Sequence, residues 1–491
     1  MDSPPLVQWA APILSIHLVV LFSTTLLTLG YFSVKSPLDT FPAVGHSSLI
    51  TSYVTALRWT RHGDEILQEG YDKYAGRPFK VATMSKWIVI LSGKQLLEDM
   101  KKAPDEVVSL RQAVAETMHV EYTLGRKPDD GCYHIDTVRS PLTRHMINKF
   151  DDIRDEIVQS FKEYIPPAKD WVTVPAFETL MHIICRTSNR YFVGLPLCRD
   201  PGYRVLNERF THDVAISARI INSFPDFMKP WEVFNNRLKD HTASGKIPRA
   251  TNQGENDLVS WLLDTCTESK HRSIDDLTMR VLTVNFAAIH TTSMAATQAL
   301  FDLAIHPEYV MELRQEVKQA LAELGWTKAA LQRMHKVDSF LKESQRLNNM
   351  GGMLMTRKTL REWRLSDGTI IPAGTFVGVA SGAMNKDERS FPEPHAFKGF
   401  RFVNETVRSD VASRGMATLD PEYVVFGYGR HACPGRFFAI NEIKAILAHV
   451  LLNYDIQLEN GSTVRPPNVV LETTLLPNPN ARMMFRRTTS V

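Results

Sequence analysis

Phe426-Gly427-Tyr428-Gly429-Arg430-His431-Ala432-Cys433-Pro434-Gly435-Arg436 sets one cysteine on a glycine-punctuated turn, just before a helical pattern begins. Gly427 and Gly429 permit backbone geometry and close approaches that a side chain would forbid. The run that follows, Phe437-Phe438-Ala439-Ile440-Asn441-Glu442-Ile443-Lys444, reads as an apolar helix. A thiolate at the start of that helix would meet unpaired backbone N–H groups and the positive end of the helix dipole. Arg430, His431 and Arg436 add cations or donors around it. The stretch is built to hold a sulfur anion.

Three readings compete for such a sulfur. It is a structural cysteine in a tight turn, a thiol nucleophile, or an axial ligand to haem iron. The second needs a histidine partner that sequence order alone cannot supply. The third needs a close backbone approach, a charged sulfur and donors for the propionates. The stretch resembles the haem-ligand loop of the cytochrome P450 family, Phe-x-x-Gly-x-Arg-x-Cys-x-Gly. Phe426, Gly429, Cys433 and Gly435 match it position by position, and His431 stands where the pattern has Arg. The resemblance implies haem b with Cys433 as the axial thiolate, and a hydrogen bond from His431 to a propionate.

Three other places bear on that resemblance. In Phe340-Leu341-Lys342-Glu343-Ser344-Gln345-Arg346-Leu347, residues three apart share a helix face, so Glu343 and Arg346 can pair. Alone, such a pair is usually a solvated bridge. It is similar to the family's Glu-x-x-Arg helix, and Phe397-Lys398-Gly399-Phe400-Arg401-Phe402 resembles the segment that adds a second guanidinium, Arg401. The three are expected to form a buried orienting network rather than to do chemistry. Gly399 occupies the family's usual proline position.

The second place is a helix predicted from about Ile274 to Ile305. Ser273 and Asp276 make a capping box at its start, and Ala, Leu, Val and Met fill its body. Its centre reads Ala287-Ala288-Ile289-His290-Thr291-Thr292. Paired threonines are locally unfavourable mid-helix, because their hydroxyls compete for backbone carbonyls. A small-residue packing seam is the plain reading. In the family the corresponding segment crosses the distal face of the haem, so Thr291 falls on the threonine that helps deliver protons. His290 falls on the acidic position, and serves there either as a proton relay or as a satisfied core histidine.

The third place is the N-terminus. No charged residue lies between Asp2 and Lys35, and Pro12 to Phe32 is apolar enough to span a bilayer. Trp9 and Tyr31 mark its ends, and Lys35, Arg58 and Arg61 follow it. That polarity predicts a single-pass anchor with a cytoplasmic body, and the missing basic n-region argues against a cleaved signal peptide. Residues 1–35 are thus expected as the membrane anchor, 36–45, with Pro37 and Pro42, as a proline hinge, and 46–491 as one catalytic domain.

Composition sets limits on the rest. The five cysteines are scattered and lack Cys-x-x-Cys spacing, which argues against a disulfide framework or a zinc site. Net charge is only +3, with no basic stripe pointing to nucleic acid. Arg430, Arg436 and Lys444 either contact the cofactor or solvent, or face an acidic electron donor. Met311–Glu323 and Asp151–Tyr164 have helical spacing. Trp363–Ser366 turned by Asp367-Gly368 into Thr369–Ile371 reads as a hairpin, followed by a strand over Thr375–Val379. His241–Asp257 and Asn404–Asp420 read as loops. The expected fold class is mainly α with a small β lobe, the cytochrome P450 fold, preceded by one transmembrane helix.

The family often carries Trp-x-x-x-Arg before the distal helix, and no Trp here has Arg four residues on. Arg139 or His134 stands as its substitute at the propionates. Met350–Met355 and Thr473–Leu476 are expected either as substrate-facing walls or as ordinary core packing. The resemblance implies a haem-thiolate monooxygenase that uses O2 and electrons from an NADPH-cytochrome P450 reductase. The style of the two motifs is similar to fungal members that oxidise terpenoids and other secondary metabolites. A lipophilic terpenoid-like substrate and an endoplasmic-reticulum location follow from that. A haem-thiolate isomerase, dehydratase or peroxygenase is the first rival, kept open by His290. A non-catalytic membrane haem protein is the second.

Overall fold

A computed structural model describes residues 36–48, 50–125, 131–222, 256–403 and 415–488. The N-terminal part runs α1 (Ser52–Tyr74), β1 (Phe79–Ala82), β2 (Trp87–Leu91), α2 (Lys94–Lys102), β3 (Val108–Ser109) and α3 (Leu110–Met118). The middle holds α4 (Phe150–Tyr164), β4 (Val172–Pro175), α5 (Ala176–Phe192) and α6 (Pro201–Asn222). Then come α7 (Ile274–Ile305), α8 (Val310–Leu324), α9 (His335–Leu347), β5 (Leu354–Thr359), β6 (Trp363–Arg364), β7 (Ile370–Ile371) and β8 (Phe376–Val379). The C-terminal part is α10 (Arg436–Asn453), β9 (Tyr454–Leu458), β10 (Val469–Leu471), β11 (Thr474–Leu476) and β12 (Arg482–Arg487). Shorter helices, Leu258–Thr265 among them, and single turns fill the connections. The body is mostly helical with small sheets, as expected: a five-stranded sheet forms a lobe, while β4, β12 and β9 pair against the helical core.

The axis of the helical body is α7, which packs against α5, α6, α9 and α10. Its start is set by Ser273, whose side chain accepts from the Asp276 amide. The expected return bond of the capping box is absent, because the Asp276 carboxylate is taken by Arg280 at 2.7 Å and Tyr133 at 2.9 Å. Polar side chains on the buried C-terminal half are paired across helices. Asp302 receives Arg465 at 2.7 Å and Ser344 at 2.6 Å. The surrounding core joins Phe161, Ile183, Phe301, Val317 and Phe340, all fully buried. Each such side chain contributes about 1.5–3 kcal/mol by leaving water.

The lobe carries a five-stranded sheet in the order β1-β2-β8-β5-β3. β8 runs parallel to β2 and antiparallel to β5, so it is central and apolar on both faces. The hairpin pairs Trp363 with Ile371 and Arg364 with Ile370, and Gly368 takes the left-handed φ of 86° that its turn requires.

Residues 36–45, expected as a proline hinge, lie against this lobe. Phe41 and Val44 are buried, the Val44 amide donates to the Lys80 carbonyl at 3.1 Å, and Lys80 pairs with Asp39 at 2.9 Å. The reason is local: two buried apolar side chains flank the pairing with β1. The expected spanning segment lies outside the described residues, as do most of the loops over 241–257 and 404–420. Among the described residues no helix is long and apolar enough to cross a membrane.

Candidate functional site

The cysteine loop is held by its own backbone. Gly427 (φ 73°) and Gly429 (φ 78°) are both left-handed, and the Cys433 amide donates to the Phe426 carbonyl at 2.8 Å. A Cβ at Gly429 would lie 2.8 Å from Lys101 Cγ, so glycine is required there twice over. The Phe426 ring packs beside Phe391, Phe402, Tyr423 and Val425. Burial pushes the Cys433 thiol up, while the amides of Gly435 and Arg436 and the Arg436 charge pull it down. A desolvated sulfur that already receives N–H groups suits a bound cation. It does not suit a freely ionised nucleophile, which needs a lowered pKa and a base.

His431 does not approach Cys433 as a base. Its Nε2 meets Asp105 Oδ1 at 2.6 Å, and Arg430 meets the same carboxylate at 3.0 Å. Both His431 and Asp105 line the same cavity beside the loop. Arg430 also donates to the Ala103 carbonyl. The other two expected surface cations are used internally. Arg436 donates to the carbonyls of Ala417 at 3.0 Å and Cys433 at 2.9 Å. Lys444 is buried and pairs with Asp338 at 2.5 Å. A docking face for an electron donor therefore cannot rest on Lys444 and Arg436.

The network on α9 closes as expected. Arg346 meets Glu343 twice, at 2.8 and 2.9 Å, and Arg401 Nε meets both carboxylate oxygens at 3.1 and 3.0 Å. The remaining N–H groups bind carbonyls: Asn385 and Pro394 for Arg346, Pro392 and Ala396 for Arg401. Two guanidiniums thereby staple residues 385–401 to α9. Gly399, in place of proline, has a packing reason. A Cβ there would lie 2.9 Å from the Tyr309 ring and 3.0 Å from Phe340. Its carbonyl accepts from Ser339 at 2.9 Å, so the turn is kept.

Facing the cysteine side is the middle of α7. Ala287 is exposed, and Thr283, one turn before it, lines a cavity that His431 also lines. Thr291 is half-buried, with its hydroxyl donating to the Ala287 carbonyl at 2.7 Å. His290 turns toward α6, its Nε2 3.1 Å from the Glu208 carbonyl, and burial lowers its pKa. Nε2–H is the donor in that bond, because the carbonyl can only accept. Thr292 is buried, and among the described residues its hydroxyl has no hydrogen-bond partner.

Arg139 lies on the cysteine side, close enough to Arg436 for the two charges to repel, and bonds Asp136 at 3.1 Å. His134 bonds Arg280 at 2.9 Å. The more informative cation is Arg357 on β5, which sequence reasoning missed. It is only 4% exposed, it donates to the Thr356 carbonyl at 2.8 Å, and among the described residues no carboxylate hydrogen-bonds it, Asp105 acting on it only through its charge. Burial pushes its pKa down to about 10. The available signal was parity: Met355, Arg357 and Thr359 share the inward face of β5. A buried, unpaired guanidinium calls for an anionic group. Beside the loop a cavity of about 540 Å³ is lined by His431, Arg111, Leu110, Val114, Ile135 and Thr283 among others. A sulfur ligand, a cavity reaching from His431 to Thr283 on α7, and a buried cation fit a haem with its anionic side arms.

The family model for cytochrome P450 matches residues 49–485. Cytochrome P450 monooxygenase 103 from Postia placenta is 37% identical over 97% of this chain and 98% of its own length. Cytochrome P450 monooxygenase 110 from the same fungus is 38% identical, over 92% of this chain and 93% of its own. An ent-kaurene oxidase from Fusarium fujikuroi is 31% identical over 91% of this chain and 88% of its length.

Proposed function

The chain belongs to the cytochrome P450 family, as a monooxygenase with a haem-thiolate cofactor, and from that premise we propose that it hydroxylates a lipophilic, terpenoid-like small molecule. Support for the substrate class comes from the fungal relatives, among them ent-kaurene oxidases. The observation that carries the site assignment is the desolvated Cys433 sulfur, cradled by two amides on a loop held by Gly427 and Gly429.

In this reading Cys433 would bind the haem iron, and Arg357 and Arg139 would hold the anionic side arms. When bound, the haem supplies the activation of dioxygen and accepts the electrons. The protein's own groups do the rest. Cys433 is kept dry, so its charge is not spent on water. Ala287 leaves room at the centre of α7, and Thr291 presents the hydroxyl that holds and passes protons there. His290 donates Nε2–H to the Glu208 carbonyl, and since burial disfavours its charged form, its part is to position the middle of α7 against α6. The network of Glu343, Arg346 and Arg401 holds the body on the cysteine side.

Electrons come from a separate NADPH-cytochrome P450 reductase. The N-terminal residues 1–35 anchor the protein in the endoplasmic-reticulum membrane, with the body of residues 46–491 in the cytoplasm. One face of the start of α1 supports this reading. Ile50, Tyr53, Val54 and Leu57 are 71, 52, 58 and 61% exposed at helical spacing, next to the docked segment that leads from the anchor.

The test is reconstitution of the full chain with the reductase in phosphatidylcholine vesicles, fed diterpene hydrocarbons and alcohols under ¹⁸O₂. A product carrying one labelled oxygen and requiring NADPH supports the reading. Turnover only of non-terpenoid lipophiles would overturn the substrate class.

A further inference from the structure

Where α6 packs on α5 and α7, its buried face is polar rather than apolar. Tyr203 and Asn207 lie one turn apart on that face, and both are buried. Asn189 on α5 and Asn285 on α7 are buried as well. Part of this set is satisfied within the protein. Asn189 Nδ2 donates to Asn285 Oδ1 at 2.8 Å and to the Cys185 carbonyl at 2.9 Å. Asn285 Nδ2 donates to the Val281 carbonyl at 3.1 Å, and Asn207 Nδ2 to the Tyr203 carbonyl at 2.8 Å.

Three atoms are left over. Among the described residues Tyr203 Oη, Asn189 Oδ1 and Asn207 Oδ1 are buried and have no hydrogen-bond partner. They belong to one place. Burial pushes the Tyr203 hydroxyl's pKa up, while the side chains of Asn207 and Asn285 pull it down, so both amides stand beside the phenol without bonding it directly. Asn285 is in turn the group that Asn189 bonds. Polar atoms unmet in the interior are costly, and a native fold rarely gathers several at one point without a ligand.

The chemistry of the three atoms selects that ligand. The phenol has one O–H to give, and each amide oxygen can only accept. Water has lone pairs for the first and two O–H groups for the others, so a single molecule meets all three. Three bonds is also the usual number for a buried water. A cation fits less well, because it leaves the phenol O–H without an acceptor. The place has a consequence for the site. Asn207 immediately precedes Glu208, whose carbonyl takes the His290 N–H at 3.1 Å.

We propose that Tyr203, Asn189 and Asn207 bind one ordered water molecule where α5, α6 and α7 meet, and that this water ties α6 to the helix carrying His290 and Thr291. The inference stands apart from the substrate reading above.

The test turns on a sign. Tyr203→Phe removes only the hydroxyl. With water bridging the site, the variant loses a bond, and the unfolding constant of the haem-bound full chain rises roughly fivefold in urea titrations in detergent. With the hydroxyl merely buried and unmet, its removal relieves the fold, so a constant that falls or stays unchanged overturns the inference. A crystal structure of the haem-bound wild type gives a second reading that needs no variant. One isolated density peak is expected within about 2.7–3.2 Å of all three atoms. No peak there, or a peak that reaches only one of the three, overturns the inference even where Tyr203→Phe fails to fold.

Discussion

Replacing Arg357 by Met should act with opposite sign on the haem-free and haem-bound chains. The guanidinium is 4% exposed and no carboxylate hydrogen-bonds it among the described residues. Its pKa is pushed down to about 10 from an ordinary 12.5, and at about 1.4 kcal/mol per pKa unit the charge costs the fold on the order of 3 kcal/mol. At neutral pH the group is charged both folded and unfolded. The penalty is then fully present, and it is released only as pH rises through the folded value. Met has similar length and no charge, so urea unfolding of the haem-free chain, followed by tryptophan fluorescence, should show the variant more stable by about 3 kcal/mol throughout pH 6–8. With haem bound, the variant loses a charge-assisted bond to an anionic arm, about 1.5–3 kcal/mol. Haem transfer to apomyoglobin should therefore be roughly ten- to a hundredfold faster. A haem-free variant less stable than wild type, or unchanged haem retention, would refute the reasoning that this cation waits for an anion.

Glu343→Gln leaves Arg346, fully buried, without its counter-charge, and should cost about 3–5 kcal/mol in urea unfolding of the holoprotein. A loss below about 1 kcal/mol would mean that the carbonyls around the two guanidiniums suffice. Thr291→Ala removes a hydroxyl bonded only to its own helix, so stability should hold while product formed per NADPH falls severalfold. Unchanged coupling would remove Thr291 from proton delivery. Glu442 is buried against Ser188 at 2.9 Å, and burial raises its carboxyl to about 8. Folding then takes up a proton between the ordinary value near 4.5 and about 8, so stability falls as pH rises across that window. Glu442→Gln should flatten this dependence in urea titrations from pH 5 to 8, and an identical slope would contradict the assignment.

What the sequence made legible was what local pattern or a long motif carries. The bounds of α7 follow from a cap at Ser273 and an uninterrupted apolar body, and the Asp367-Gly368 hairpin from turn chemistry. Glu343 and Arg346 were visible as a pair, but their burial and the place of Arg401 came only through the family resemblance. Partners far along the chain were not legible. Asp105 captures His431 from 326 residues away, and Asp338 draws Lys444 into the core. Residues 36–45 read as a hinge because prolines mark linkers, whereas the burial of Phe41 and Val44 depends on β1. Arg357 was missed because an inward-facing arginine looks like any strand residue until the missing carboxylate is seen in three dimensions.

The central claim is that Cys433 is the thiolate ligand of the haem. The most direct measurement is the absorption spectrum of the full chain reduced with dithionite under carbon monoxide, beside Cys433→His. The account predicts the strongly red-shifted Soret band of a thiolate-bound ferrous haem in the wild type, and its loss in the variant. A histidine-like band in the wild type, or a red-shifted band that survives the substitution, would contradict it.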